Sequence, residues 1–227
     1  MRRISKAPTP TSLVQWVHIN PGGTRHYRRL TTVVMTDLKD ALLAEQGFIC
    51  AYTGIRIDND SMHIEHLKPR HHRVYLEDVR YTNLVACFPK EDEGGSSTVG
   101  FGARAKDRWW HATNFVSPLD QHCETRFRYT EGGAVRPNPV GHVPATTTIK
   151  KLNLNDKKLK QLRHAAILSF FGLNASKKRS GRKNRKMTRQ EALVWQNDID
   201  RMNTSGKLQP YCFVMKQLLP TYLANLP

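Results

Sequence analysis

The stretch His63-Ile64-Glu65-His66-Leu67-Lys68-Pro69-Arg70, with Asn83-Leu84 downstream, holds the residue types that phosphodiester hydrolysis requires. That reaction needs an activated water, a cation on the scissile phosphate and stabilisation of the leaving oxygen. Histidine side chains ordinarily titrate near pH ~6.5 and so can take a proton at neutral pH. A carboxylate beside one can hold Mg2+ or a similar hard ion, which clamps a phosphate oxygen and the leaving group. Glu65 and His66 fit these two roles. Adjacent residues at the end of a strand stopped by Pro69 can project both groups toward one phosphate. A lone Glu-His pair is commonplace on protein surfaces, and His63 by itself reads as an ordinary surface or packing histidine. The order is what singles the segment out: an apolar residue, Glu-His, then apolar-x-Pro-basic, and later Asn-Leu followed by apolar residues.

The elements that must carry these groups can be read around them. Residues 1–29 are rich in Pro, Thr, Gly and basic side chains and read as an irregular arm, packed through Trp16 and Val17. Apolar positions at Val34, Leu38, Ala41 and Leu42 predict an amphipathic helix over Thr31–Gln46, with Gly47 as its C-terminal cap. Phe48 to Gly54 reads as a short strand or knuckle ending in a turn. Met62–Leu67 is a second short strand, and Asn83–Phe88 an apolar segment beyond a polar, basic loop. A short helix is expected from Ala103 through Trp110. In the last third, Asn155 is the expected N-cap of a helix running to about Phe171, with Leu159, Leu162, Ala166 and Phe170 on one face. Thr188-Arg189-Gln190-Glu191 spells a capping box, and a final helix is expected over Tyr211–Ala224, interrupted at Pro220.

Charge narrows the partner. Over 227 residues, 36 Lys and Arg face 19 Asp and Glu, a formal net charge of +17. Self-repulsion on that scale opposes folding, and a polyanion offsets it; nucleic acid is the favoured partner, ahead of an acidic protein or a membrane surface. No stretch approaches the roughly 20 apolar residues that a membrane span needs. The basic start, Met1 to Lys6, is not followed by an apolar signal core. The four scattered cysteines therefore read as reduced thiols in a cytoplasm. Lys177-Lys178-Arg179-Ser180-Gly181-Arg182-Lys183-Asn184-Arg185-Lys186 is an almost purely basic run, suited to tracking phosphates without reading sequence. Lys68, Arg70 and Lys106 are further candidates for nucleic-acid contact, and Trp16, Trp109 and Trp110 could stack on bases or belong to the core.

A wider set of motifs stands in order: Cys50-Ala51-Tyr52-Thr53-Gly54, the His63–Pro69 segment, Asn83-Leu84-Val85-Ala86-Cys87 and Lys106-Asp107-Arg108-Trp109. Pro118-Leu119-Asp120, Cys123–Tyr129 and Thr148–Asn155 follow. This set resembles the HNH nuclease subunit of retron-associated and Septu-type antiphage systems, over roughly half the chain. The resemblance implies an α+β fold with a ββα-metal (HNH) core. It divides the chain into an N-terminal arm and helix (1–47), the nuclease core (48–130) and a basic helical C-terminal region (131–227). It implies His66 as general base, Glu65 as ligand of Mg2+ or Mn2+, and Asn83 as the residue that orients the catalytic loop and a candidate to assist at the phosphate. It further implies an ABC- or SMC-like ATPase partner, joined in retron systems by a reverse transcriptase and its RNA–DNA product. The substrate would be DNA or a structured RNA such as tRNA, cut by a toxic effector in the cytoplasm, with no membrane involved.

Two departures from that pattern matter. Thr53 stands where a Cys-x-x-Cys knuckle would place its second cysteine, and Gly102-Ala103 occupies the region of a second pair, so no structural zinc is expected. The position where the family places a His or Asn on the helix reads Ala103-Arg104-Ala105-Lys106-Asp107; Asp107 or His111 is the candidate replacement as metal ligand. These departures keep a second reading open, a catalytically inactive nucleic-acid-binding adaptor.

Overall fold

Thr31 opens α2 (Thr32–Glu45) by accepting a hydrogen bond from the Val34 amide. Gly47, at φ +59°, closes it as expected, for a Cβ there would stand 2.4 Å from the Leu208 side chain. Such local signals build much of the chain, which is described here by a computed structural model over residues 1–20, 22–72, 77–90, 99–173 and 185–226. These residues form an α+β fold with seven α-helices and two small antiparallel sheets.

β1 (His63–His66) pairs antiparallel with β2 (Leu84–Cys87), so that Glu65 faces Val85 and His66 faces Leu84. A two-stranded hairpin is marginal by itself, and here other segments satisfy its backbone. Gln46, buried at the end of α2, accepts from the Ala86 amide and donates to the Ala86 and Ile49 carbonyls. The Lys6 ammonium donates to the Leu84 carbonyl at 2.9 Å and pairs with Glu45, which also accepts from the Tyr81 hydroxyl. All four residues of β2 are buried.

The knuckle before β1 is tied by the same strand. Ile49 bridges Arg56, the Gly54 amide donates to the Cys50 carbonyl, and the Ala51 amide donates to the Ala86 carbonyl. The Cys50 and Cys87 thiols are buried side by side. Burial raises a thiol's pKa, but donation from Cys87, the Phe88 amide and Thr53 outweighs it and brings Cys50 down to about 6.

Several expectations need correction. The arm contains a helix, α1 (Thr11–Ile19), whose Leu13 and Trp16 are buried; its Pro-rich lead-in hid a short periodic stretch. The helix expected through Trp110 is a single turn, α3 (Ala103–Lys106), ended by Asp107 at φ +44°. A second hairpin, β3 (Phe127–Tyr129) with β4 (Val135–Pro137), and α4 (Val143–Lys151) were not foreseen. Asp156, not Asn155, caps α5 (Lys157–Phe170); the Asn155 amide instead pairs with both backbone groups of Val135. The buried face of α5 runs Leu159-Arg163-Ile167, and Leu162 is exposed. α6 (Arg189–Asp198) begins with the expected capping box. α7 (Cys212–Ala224) runs unbroken through Pro220.

The segments 1–47, 48–130 and 131–227 share one hydrophobic core, which includes Leu38, Tyr52, Leu84, Phe127 and Val214. The Ile4 amide donates to Pro118, and Leu208 and Tyr211 donate to Gly47 and Gly54. Among the described residues, no helix is long and apolar enough to cross a membrane.

Candidate active site

The alternation of β1 places Ile64 and His66 toward the core and leaves His63 and Glu65 half-buried on the opposite face. All three polar side chains reach an open cleft of about 1330 Å3. His66 is held on three sides. Its Nε2 lies 3.0 Å from the Asp78 carbonyl oxygen and 3.5 Å from the Asp78 carboxylate, and the Tyr27 ring meets it edge-on at 4.8 Å. A carbonyl oxygen can only accept, so Nε2 carries the proton and Nδ1 keeps the lone pair. The imidazole is thus oriented with Nδ1 as the basic nitrogen.

Asp78 is itself anchored by the Tyr27 amide, which donates to its Oδ2 at 2.7 Å. Burial pushes its carboxyl up, but His66, the Tyr27 amide and Arg70 outweigh that and hold it below its ordinary value.

Glu65 sits between two cationic or potentially cationic groups. Its Oε1 accepts from the Lys106 ammonium at 2.7 Å, and its Oε2 is 3.7 Å from His63 Nε2. Burial raises the Glu65 carboxyl, yet His63 and Lys106 more than compensate and hold it low, so it is ionised. Lys106 also donates to the His66 carbonyl at 3.0 Å. Its side chain is 0% exposed. The expectation that Lys106 contacts nucleic acid is therefore overturned. Gly102, at φ +67° with its amide donating to Leu152, turns the chain so that the single turn of α3 drives this lysine under the hairpin.

Asn83 does not reach the cleft. Its Oδ1 accepts from the Lys68 amide, and its Nδ2 donates to the carbonyls of Lys68 and Glu77. With its amide committed to both limbs of the loop after β1, it positions that loop and is not at hand to assist at a phosphate. Asp107 lies exposed on the cleft wall beyond the end of α3. Because the helix stops at Lys106, Asp107 and His111 do not share a helix face. His111 is exposed and accepts from the Thr113 and Asn114 amides, which makes it a turn residue. Among the described residues, no three of His, Cys, Asp or Glu are grouped as a metal site.

The cleft is basic. Lys68 and Arg70, the candidates for nucleic-acid contact, line it together with Arg25, Arg28, Lys90 and Arg108. Lys68 pairs with Glu77 and lies 4.8 Å from the Trp110 ring centroid. Trp16 is core, and Trp109 packs edge-on against Phe115. Arg185 makes two bonds to Glu191 at the start of α6, and neither it nor the exposed Lys186 lines the cleft. Lys177, Lys178, Arg179, Arg182 and Lys183 lie outside the described residues.

Sequence reasoning missed Asp78, Tyr27 and the Arg25–Arg28 contribution. Asp78 carried one usable signal, since Glu77-Asp78 is an acidic pair in a loop of histidines and arginines between the His and Asn motifs. Nothing local ties Tyr27 to His66, since the link is made only when residues 22–29 fold over the hairpin. No protein-family model matches the chain, and neither does any curated protein.

Proposed function

We propose that this chain is a metal-dependent nuclease of the ββα-metal (HNH) type, with β1 and β2 as the hairpin and α3 as the reduced helix. The observation that carries the reading is His66, fixed by the Asp78 carbonyl with Nδ1 as its basic nitrogen and lining a cleft walled by arginine and lysine. In this reading the cleft cations hold the phosphate backbone, and His66 Nδ1 takes the proton of the attacking water. Asp78 and Tyr27 keep the imidazole in one orientation.

Glu65 is the residue to hold Mg2+ or Mn2+. It is an ionised oxygen donor on the cleft, with Oε1 taken by Lys106 and Oε2 on the side of His63. Such a site suits an ion that keeps most of its waters. When bound, the ion supplies positive charge to the scissile phosphate and the leaving oxygen. Lys106 orients Glu65 and, through the His66 carbonyl, the end of β1.

The ordered motifs extend the proposal. The chain acts in the cytoplasm as the toxic effector of an antiphage complex with an ABC- or SMC-like ATPase, joined in retron systems by a reverse transcriptase and its RNA–DNA product. Its substrate is DNA or a structured RNA such as tRNA.

The test offers plasmid DNA and total RNA separately to wild type and His66→Ala, with Mg2+ or Mn2+, with and without the ATPase. Cleavage should fall roughly 100- to 10,000-fold in the variant, the usual contribution of a general base. Cleavage that His66→Ala leaves intact would remove the base assignment. A second reading, the non-catalytic adaptor, draws on one observation: an ammonium already neutralises Glu65, where the metal would act. It takes over if wild type binds nucleic acid and cuts neither substrate under any of these conditions.

A further inference from the structure

We propose that His63 is a second protein ligand, with Glu65, for the divalent cation of the nuclease site, binding through Nε2. The inference rests on the nuclease reading above and assigns a residue that the motif does not. His63 and Glu65 are two apart on a strand, so their side chains leave the same face. Both open onto the cleft that His66 also lines. His63 Nδ1 contacts the Pro89 carbonyl oxygen. That oxygen can only accept, so Nδ1 carries the proton and the donor nitrogen is Nε2, on the Glu65 side. Metal-binding histidines are commonly fixed in this way, with the distal N–H held by a carbonyl so that tautomer and ring orientation are set beforehand.

The spacing is suitable. Nε2 and Glu65 Oε2 are 3.7 Å apart, and two donors on adjacent positions of one octahedral ion stand about 3 Å apart. A side-chain adjustment of under ~1 Å brings both onto one ion. Lys106 engages Oε1, so Oε2 is the carboxylate oxygen facing the imidazole. The same ammonium opposes a second cation nearby, and a bound phosphate backbone would offset that repulsion. An imidazole in the set favours Mn2+ over Mg2+ more than an all-oxygen site does.

The competing arrangement is a protonated His63 that merely ion-pairs with Glu65. Mn2+ binding separates the two without any turnover. Free Mn2+ is followed by electron paramagnetic resonance for the full chain, with and without duplex DNA. The bound ion is examined by pulsed methods for coupling to a directly ligated nitrogen. Wild type should show such a nitrogen. His63→Gln should lose it and bind Mn2+ at least tenfold more weakly, while His63→Asp should retain binding and lose the preference for Mn2+ over Mg2+. Unchanged affinity and an unchanged nitrogen signal in His63→Gln would overturn the assignment. If cleavage then still depends on His66, the nuclease reading survives and only the ligand is wrong. Wild type that binds no Mn2+, even with DNA, and cuts nothing removes both.

Discussion

Glu65 and Glu191 each make one close ion pair, with Lys106 at 2.7 Å and with Arg185 at 2.5 Å, but their surroundings are opposite. Under the hairpin, the lysine is fully buried and the carboxylate nearly so. At the start of α6, the arginine is 64% and the glutamate 43% exposed. Glu191 is also held by the Thr188 amide and hydroxyl, so the outer pair trims a helix end that water would otherwise solvate. The inner pair leaves each partner little else: Lys106 has the His66 carbonyl besides, and Glu65 has His63 at 3.7 Å. Without Glu65 the Lys106 ammonium would be buried with no counter-charge, and without Lys106 the largely buried Glu65 carboxylate would keep only His63 beside it. The same two charges are thus an ornament in one region and a constraint on the architecture in the other.

Breaking the inner pair should have the largest effect. Lys106→Met leaves Glu65 charged and buried, and should cost about 3–5 kcal/mol. That corresponds to a fall of roughly 10 °C in melting temperature for a chain of this size. Adding Glu65→Gln to it should restore much of the loss. If the single variant melts like wild type, the pair is not the constraint described.

Asn83→Ala tests the adjoining clasp, where an amide joins Lys68 and Glu77 across the loop. Stranding these partly buried backbone groups should cost about 1–2 kcal/mol by urea unfolding. The outer region should respond less. Thr188→Ala removes one half of the capping box and should cost about 1 kcal/mol in the same assay.

The smallest expected effect is a pH dependence. The Arg185 guanidinium and the Thr188 groups lower Glu191 from 4.5 to about 2. A carboxylate whose folded pKa is depressed contributes stability above its unfolded value and loses it as pH falls toward the folded one. The melting-temperature gap between wild type and Glu191→Gln should therefore be constant above about pH 5 and close on acidification toward pH 2. A gap that widens on acidification would reverse the sign.

Several features were legible because their causes are local. Thr31 and Gly47 bound α2, Thr188 and Glu191 open α6, and the apolar alternation marks β1. Other features depend on what packs where. On α5, periodicity alone favours Leu162, yet Arg163 is the residue turned inward, because its guanidinium reaches the Leu154 carbonyl and lies 5.6 Å from the Tyr129 ring. Pro220 reads as a break, but α7 absorbs it within a buried face that includes Met215, Leu219 and Leu223. α3 looks longer than it is, since its end is set by the turn at Asp107 and not by its apolar spacing.

The candidate site divides along the same line. The types and order of Glu65, His66 and Asn83, and the excess of positive charge, are properties of the sequence itself, because strand alternation and net charge need no partner to be read. Which nitrogen of His66 is basic, that Lys106 neutralises Glu65 instead of facing solvent, and that His63 turns toward the same carboxylate were decided only by tertiary structure. Each follows from a contact between residues 12 to 41 positions apart, and hydrogen bonds across such distances form only where packing brings donor and acceptor together.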